Sequence, residues 1–349
     1  MTAPRTADEI HFPLTDDGWH LALHRYRPRG DGSGSPLILC AGYACNRHFL
    51  DYDDRYSLAR FLARAGFDAW VLELRGRGMS YPEPGRGASW SWTFDDLASR
   101  DVPRAIDHVA EVTGLAVTWV GHSMGGMLLY AYCGQVAPEV GAVRGGVTIA
   151  TPVVFPMTAS RLLSEIGMFL LRVPFSETIH QRWALGALWT VLGSSSVLAV
   201  GMNPDNVDRP TVGRALRLSL ENVPRAKLQQ LATWAHEGVF ASVDGRIDYR
   251  ARLSRIDVPL LAIAGAADRL APPEGVALAL EGMAPSRVQF LELSRARGFT
   301  ADYGHVDLIL GRNAPDEVFS RIASWITEVL DGSGTQGKGR AHGSTTTTL

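Results

Sequence analysis

One serine stands in a glycine-framed pentapeptide, Gly121-His-Ser-Met-Gly125, between an apolar run and a helical pattern. The run at 117–120 predicts a buried strand and 126–135 predicts a helix, which is the strand–turn–helix context of a G-x-S-x-G nucleophile elbow. Such a turn needs glycines because it is tight and packs against neighbouring backbone, and its geometry lifts the serine hydroxyl clear of the sheet. A pentapeptide of this kind also occurs by chance in glycine-rich turns. The prediction that Ser123 is a nucleophile therefore depends on its partners.

A serine hydroxyl is a poor nucleophile at neutral pH and needs an adjacent base, which a carboxylate orients. In elbow-type hydrolases the three groups follow the chain order Ser, acid, His. Asp268 comes after the apolar run 259–264, and among the ten histidines His305 alone lies just past the last predicted strand and before the final helix. We therefore predict that Asp268 is the acid and His305 the base. Asp307 is the alternative acid, but its place at the final helix favours a structural or capping role.

The strand predicted at 37–41 runs into the loop Gly42-Tyr-Ala-Cys-Asn46. An oxyanion hole needs two backbone N–H groups directed at the developing charge. Met124, directly after the serine, offers one, and Tyr43, directly after Gly42, is the predicted second; the alternative is a plain strand-to-helix loop. Cys45 lacks an elbow of its own. A further glycine-rich loop at 73–80 is predicted to shape the fold without taking part in the chemistry.

Short apolar runs alternate with helical patterns along most of the chain, which predicts an α/β fold with a mostly parallel central sheet flanked by helices. The predicted strands are 37–41, 68–74, 117–120, 146–150, 259–264 and 288–293, and the predicted helices are 55–65, 95–113, 124–137, 273–283 and 315–330. Asp95 and Pro315 suit the starts of two of these helices. An antiparallel hairpin, 10–14 with 19–26, is predicted to turn at 16–18.

The alternation stops between 152 and 250, where we find several helical patterns and no convincing strand. We interpret the chain as a hydrolase core in two parts, 1–151 and 251–330, a helical cap insertion at 152–250 over the carboxyl edge of the sheet, and a disordered tail at 331–349. Two charge-poor stretches, 161–175 and 183–203, lie in this insertion. The second has no charged residue and is long enough to raise the question of a membrane span. Gly186, Gly193 and three serines interrupt the second stretch, which favours a cap. Phe169 and Trp189 are predicted to line an acyl groove there.

The net charge is −2, with a pI near 6.6, so no global field attracts nucleic acid or an anionic membrane. Three cysteines without metal-site or disulfide-framework spacing favour free thiols in a reducing compartment. The first ten residues lack an apolar core of signal-peptide length, which predicts a cytoplasmic protein. No transmembrane span is expected, and interfacial membrane contact is the weaker possibility because the polar faces lack a Lys/Arg cluster.

Together the elbow, the 73–80 loop and the segments 94–108 and 305–318 resemble the acid-lipase branch (gastric and lysosomal lipases) of the α/β-hydrolases. The resemblance covers about 15–150 and 255–330. It implies carboxylic-ester hydrolysis with an acyl pocket under a helical cap, and by matching positions it gives Ser123, Asp268, His305, Tyr43 and Met124 the roles stated above.

The chain departs from that family in two ways. Ala41-Gly42 stands where the family usually has His-Gly, and the secretory leader is missing, which favours a bacterial-type intracellular relative. The segments 57–67 and 305–318 are also similar to polyhydroxyalkanoate synthases. Those enzymes carry cysteine at the position of Ser123, which argues against polymer synthesis.

The expected function is hydrolysis of a small-molecule or lipid-like apolar ester by a Ser-His-Asp triad, with no metal and no organic cofactor. The same triad also serves thioesterases and acyltransferases. A ligand-binding protein on a hydrolase scaffold is the alternative from another class. The complete set of triad residues argues against that alternative.

Overall fold

In the computed structural model, residues 6–332 are described, apart from 31, 88, 137–141, 156–176, 181 and 183–200. The strands are β1 Glu9–His11, β2 Trp19–His20, β3 Ala22–Tyr26, β4 Pro36–Cys40, β5 Asp68–Glu73, β6 Tyr81–Pro82, β7 Val117–His122, β8 Val143–Ile149, β9 Thr178–Ile179, β10 Val223–Pro224, β11 Leu260–Gly265 and β12 Val288–Leu293. The α-helices are α1 Leu58–Arg64, α2 Phe94–Asp96, α3 Val102–Thr113, α4 Met124–Cys133, α5 Arg209–Ser219, α6 Arg225–Glu237, α7 Pro273–Ala277, α8 Asp307–Leu310 and α9 Ser320–Trp325. The π-helical turn Leu97–Asp101 joins α2 to α3, and two more, Pro315–Phe319 and Ile326–Asp331, flank α9.

Over these residues the main sheet has eight strands in the order β1-β3-β5-β4-β7-β8-β11-β12. Every pair from β5 to β12 is parallel, and β1–β3 and β3–β5 are antiparallel. This confirms the mostly parallel sheet and the leading hairpin, which closes where the Thr15 carbonyl accepts from the Gly18 N–H. Parallel neighbours place the carboxyl ends of β4, β7, β8 and β11 along one edge.

Strand β4 shows how the sheet is buried on both faces. Leu37 and Leu39 belong to the apolar cluster that includes α1 and α9, whereas Ile38 and Cys40 belong to the cluster that includes α3 and α4. Side chains alternate between the faces of a strand, so a continuous apolar run is what a doubly covered strand requires. The helices therefore lie on both faces, as predicted.

Several predicted boundaries were wrong. The helix predicted at 273–283 ends at Ala277, and after the 3₁₀ turn Leu278–Leu280 the chain becomes extended at Glu281 and reaches Gly282 at φ +84°. The prediction of no strand in 152–250 was also wrong, because β9 and β10 pair there as a short antiparallel ribbon.

Asp95 does not cap a helix, contrary to the sequence expectation. Thr93 precedes α2, and the Asp96 carboxylate accepts from the Thr93 N–H at 2.8 Å. The Asp95 carboxylate instead accepts from Gln230 Nε2 at 2.7 Å and the Tyr249 hydroxyl at 2.9 Å. It therefore ties the segment that contains α6 to the core.

A buried carboxylate, Asp51, joins three separate pieces of the core. It accepts hydrogen bonds from the hydroxyls of Tyr26 on β3 and Ser57 before α1, and Arg60 Nε lies 2.8 Å from its Oδ1. The Asp51 side chain is fully buried, whereas Asp54, which also pairs with Arg60, is 76% exposed. A buried ion pair that loses one partner leaves an uncompensated charge.

We therefore expect Asp51→Ala to lower the free energy of unfolding by about 3–5 kcal/mol, because the Arg60 guanidinium and the Tyr26 hydroxyl lose their shared acceptor. Asp54→Ala is the matched control, and an exposed pair of this kind should change stability by less than about 1 kcal/mol. Urea unfolding of both variants measures the difference. Equal effects would show that Asp51 is not the organising group.

Candidate active site

Ser123 occupies the sharp turn between β7 and α4, with φ +54° and ψ −119°. Positive φ is rare for a residue with a side chain and is tolerated where the surroundings hold it. Here glycines allow the backbone around Ser123 to pack too closely for any other residue. A Cβ on Gly121 would lie 2.4 Å from the Gly125 backbone, and one on Gly125 would lie 2.2 Å from the Cys40 carbonyl oxygen. The turn is therefore the strained strand–helix elbow that the pentapeptide predicts.

His305 and Asp268 are in direct contact. His305 Nδ1 lies 2.8 Å from Asp268 Oδ2, and the other carboxylate oxygen accepts from the N–H groups of Leu270 and Ala271 at 2.8 Å each. The two residues are buried, with relative exposures of 8% and 2%. A carboxylate with both oxygens occupied can hold the imidazole in one orientation, with Nδ1 donating and Nε2 left to accept a proton.

His122 brings the histidine loop to the serine. Its Nε2 donates to the His305 carbonyl oxygen at 3.0 Å, and the centroids of the two rings are 4.8 Å apart. Since a carbonyl only accepts, the hydrogen of His122 is on Nε2, and the buried Nδ1 has no hydrogen-bond partner in the part of the chain that the structure describes. Burial, with the neighbouring His305 as a second cause, lowers the pKa of His122 to about 3.

Asp307 makes a different set of contacts. Its carboxylate accepts from the backbone N–H groups of Gly304 at 2.9 Å and Asn203 at 3.1 Å, and from Asn206 Nδ2 at 2.8 Å. Burial raises the pKa of this carboxyl group, and the hydrogen bonds oppose the shift. The partners of Asp307 lie in the loop before His305 and in the segment 203–206, so its contacts are those of a structural clamp.

The loop after β4 runs directly beside the elbow. A Cβ on Gly42 would lie 2.9 Å from Ser123 Cβ, so only glycine allows this approach. Tyr43 and Ala44 form the centre of a turn in which the Cys45 N–H donates to the Gly42 carbonyl, and Ala44 has φ +56°. This turn places the Tyr43 peptide beside the serine. Met124 lies at the first position of α4, where a helix leaves its N–H groups without intrahelical partners.

Two basic side chains to which the sequence analysis gave no role lie near this turn. Arg77 Nη1 donates to the carbonyl oxygens of Gly42 at 2.9 Å and Cys45 at 3.1 Å. Lys227 of α6 is buried, with its Nζ 5.0 Å from the centroid of the Tyr43 ring, and burial followed by the charge of Arg77 lowers its pKa well below the usual value. The position of Arg77 between two glycines was the feature of the sequence that could have identified it. Nothing in the sequence marked Lys227.

The predicted groove residues Phe169 and Trp189 lie outside the described residues, as does most of 161–175 and 183–203. The three cysteines are unpaired and buried, and burial raises the pKa of Cys45 to about 11. Within the described ranges, none of the helices has the length and apolarity needed to cross a bilayer.

The sequence pattern of the family described as serine aminopeptidase, S33, matches residues 37–297, and the chain belongs to this family of α/β-hydrolases. Gastric triacylglycerol lipase of Mus musculus is 25% identical over 92% of this chain and 88% of its own length. Triacylglycerol lipase 2 of Arabidopsis thaliana is 23% identical over 91% of this chain and 84% of its own. An esterase from Thermogutta terrifontis matches in structure with a TM-score of 0.60 at 18% identity, over 92% of this chain and 98% of that one.

These similarities confirm the predicted fold and the resemblance to acid lipases. The chain is an enzyme, a serine hydrolase of the carboxylesterase or lipase type.

The pKa of His122 leads to a prediction about stability. The unfolded chain protonates this histidine near pH 6.5, whereas the folded chain keeps it neutral to about pH 3. Between these values the unfolded state binds more protons, so folding stability falls as the pH falls, by up to about 1.4 kcal/mol per pH unit from this group. The stability advantage of the wild type over His122→Gln should therefore shrink by about 2 kcal/mol between pH 7 and pH 5.

Chemical unfolding at several pH values measures this difference. His236→Gln, which changes an exposed histidine on α6, is the control for the loss of an imidazole outside the buried site and is measured at the same pH values. A stability difference between the wild type and His122→Gln that does not change with pH would contradict the assignment of a neutral buried imidazole.

Proposed function

We propose that the enzyme hydrolyses apolar carboxylic esters through an acyl-enzyme formed on Ser123, with His305 as base and Asp268 as acid. The observation that carries this proposal is the buried 2.8 Å hydrogen bond between His305 and Asp268 in the loops beside a strained elbow serine. It supports a tautomer with its proton on Nδ1, which leaves Nε2 to accept the serine proton.

In the proposed reaction the Ser123 oxygen attacks the ester carbonyl carbon while its proton moves to His305 Nε2. The N–H groups of Tyr43 and Met124 stabilise the oxyanion of the tetrahedral intermediate. His305 then gives its proton to the leaving alcohol, and the acyl group stays on the serine. Water, activated by the same imidazole, attacks the acyl-enzyme and releases the acid. Asp268 stabilises the imidazolium in both halves of the reaction.

The apolar substrate class is supported by the two triacylglycerol lipases that resemble this chain over most of its length. The charge-poor stretches 161–175 and 183–203 are the proposed acyl-binding part of a cap at 152–250, with Phe169 and Trp189 as candidate lining residues. The cytoplasmic location that the sequence predicts remains a prediction.

The family description names an aminopeptidase, so amide substrates are the comparison that tests the ester assignment. We expect hydrolysis of a medium-chain p-nitrophenyl ester by the wild type and little or none of an aminoacyl p-nitroanilide. Ser123→Ala should lower kcat for the ester by about 10⁴-fold or more and abolish labelling by a fluorophosphonate, because the nucleophile is gone. Circular dichroism would confirm that the variant folds. Near-normal turnover in a folded Ser123→Ala protein would refute the proposal. Faster hydrolysis of the anilide than of the ester by the wild type would indicate a peptide substrate instead of an ester.

Substitutions of the two candidate acids, Asp268 and Asp307, should have different effects. Asp268→Asn should lower kcat by about 10⁴-fold with the fold retained, because the amide favours the wrong imidazole tautomer. Asp307→Asn should lower the unfolding temperature instead, since it weakens the clamp on Gly304 and Asn203, while kcat of the folded enzyme changes by less than about tenfold. Kinetics and thermal unfolding of both variants provide the test. A larger loss of kcat in Asp307→Asn would mean that the acid had been misassigned.

A further inference from the structure

Arg77 reaches the loop beside the elbow from the 73–80 loop. Its neighbours Gly76 and Gly78 have φ +67° and +49°, and the side chain is 4% exposed. A single nitrogen, Nη1, donates to both the Gly42 and the Cys45 carbonyl oxygens. The guanidinium therefore bridges the two ends of the turn that contains Tyr43.

Carbonyl oxygens of this turn bind the Arg77 guanidinium. Within the described ranges Arg77 takes part in no ion pair, and the carboxylate of the nearby Asp101 is occupied by Arg75, whose Nε lies 2.7 Å from Oδ1. Burial lowers the pKa of Arg77, but an arginine stays protonated in a folded protein. A buried cation is unfavourable unless its surroundings compensate it. Carbonyl oxygens of the turn supply that compensation, while Nη2 has no partner among the described residues.

The Gly42 carbonyl belongs to the same peptide group as the Tyr43 N–H. The described chain has no cis peptide bonds, and in a planar trans peptide the C=O and N–H point in opposite directions. The contact with Arg77 therefore fixes the direction of the Tyr43 N–H, away from the guanidinium. A charged donor on the carbonyl also polarises the peptide and makes its N–H a stronger donor, as in other hydrogen-bond chains of low dielectric.

The turn needs such support because it is strained. Ala44 has φ +56°, which disfavours a residue with a Cβ, and the Gly42 backbone is pressed against Ser123. On its outer side the turn is held by the segment after α5, where the Glu221 N–H donates to the Ala44 carbonyl at 2.8 Å. Arg77 holds the inner side at both ends.

We propose that Arg77 is a positioning residue for the oxyanion hole, which orients and polarises the Gly42–Tyr43 peptide so that its N–H stabilises the tetrahedral intermediate. This inference rests on the proposed function and adds a residue that touches neither the substrate nor the triad. Its effect should appear in the transition state, where the oxyanion exists, and not in substrate binding.

The test compares a p-nitrophenyl ester with the corresponding thionoester, whose sulfur accepts hydrogen bonds weakly and gains less from the hole. Arg77→Met should lower kcat for the ester by about 10- to 100-fold, somewhat less than the loss of a whole oxyanion donor, with KM changed by less than about threefold. The thionoester rate should fall by about threefold at most, so the ester-to-thionoester ratio of kcat should decrease by about 3- to 30-fold. Arg77→Lys, which keeps a charged donor, should recover part of that ratio, and it also provides the measurement if Arg77→Met does not fold.

Arg60→Met is the matched control, because it removes another buried arginine, one that pairs with Asp51. It should lower the unfolding temperature without changing the ester-to-thionoester ratio. An unchanged ratio in Arg77→Met and Arg77→Lys, in an enzyme whose turnover requires Ser123, would overturn this inference alone. Turnover that survives Ser123→Ala would instead overturn the proposed function.

Discussion

Several very close backbone contacts of the described chain surround Ser123, and many nearby features follow from them. The turn after β7 lies so near the end of β4 that a single Cβ on Gly125 would overlap the Cys40 carbonyl, and a Cβ on Gly126 would lie 2.1 Å from Thr151 Oγ1. This packing leaves no room for the serine to relax to a common conformation, so it keeps φ +54° at the start of α4. The neighbouring glycines have no side chain, and the close packing that this allows keeps Ser123 in its strained conformation.

The parallel sheet supplies the second constraint. Ser123, Asp268 and the turn at Tyr43 each follow the carboxyl end of a strand, β7, β11 and β4, and parallel strands bring those ends to one edge. His305 arrives on a loop that other contacts must hold. The Asp307 clamp and the bond from His122 to the His305 carbonyl hold it. Because a hydrogen bond forms only over a short distance, these contacts fix the position of His305 on its loop.

Buried charged side chains are compensated by different groups in different parts of the molecule. Asp51 joins core elements and is matched by Arg60. Asp307 is compensated by backbone N–H groups and an amide, and Arg77 by carbonyl oxygens. Dipoles compensate the last two charges, so each charge also orients the backbone that surrounds it. This coupling explains why the loops around the serine contain charged residues that form no salt bridge with other described residues.

Much of this arrangement is determined by local sequence. The strand at 288–293 and the elbow at Ser123 were predicted because apolar runs and glycine spacing express local backbone geometry, and the chain order of Ser123, Asp268 and His305 identified the candidate site. Local patterns could not show that Asp95 would bind Gln230 and Tyr249. Nor could they show that Asp307 would accept from the Asn203 N–H, or that Arg77 would meet Gly42 across 35 residues. Those contacts join groups that are distant in the chain and whose residue types suit many partners. Only the packing of loops at the sheet edge selects one partner, because a hydrogen bond forms only within about 3 Å and in a narrow range of angles.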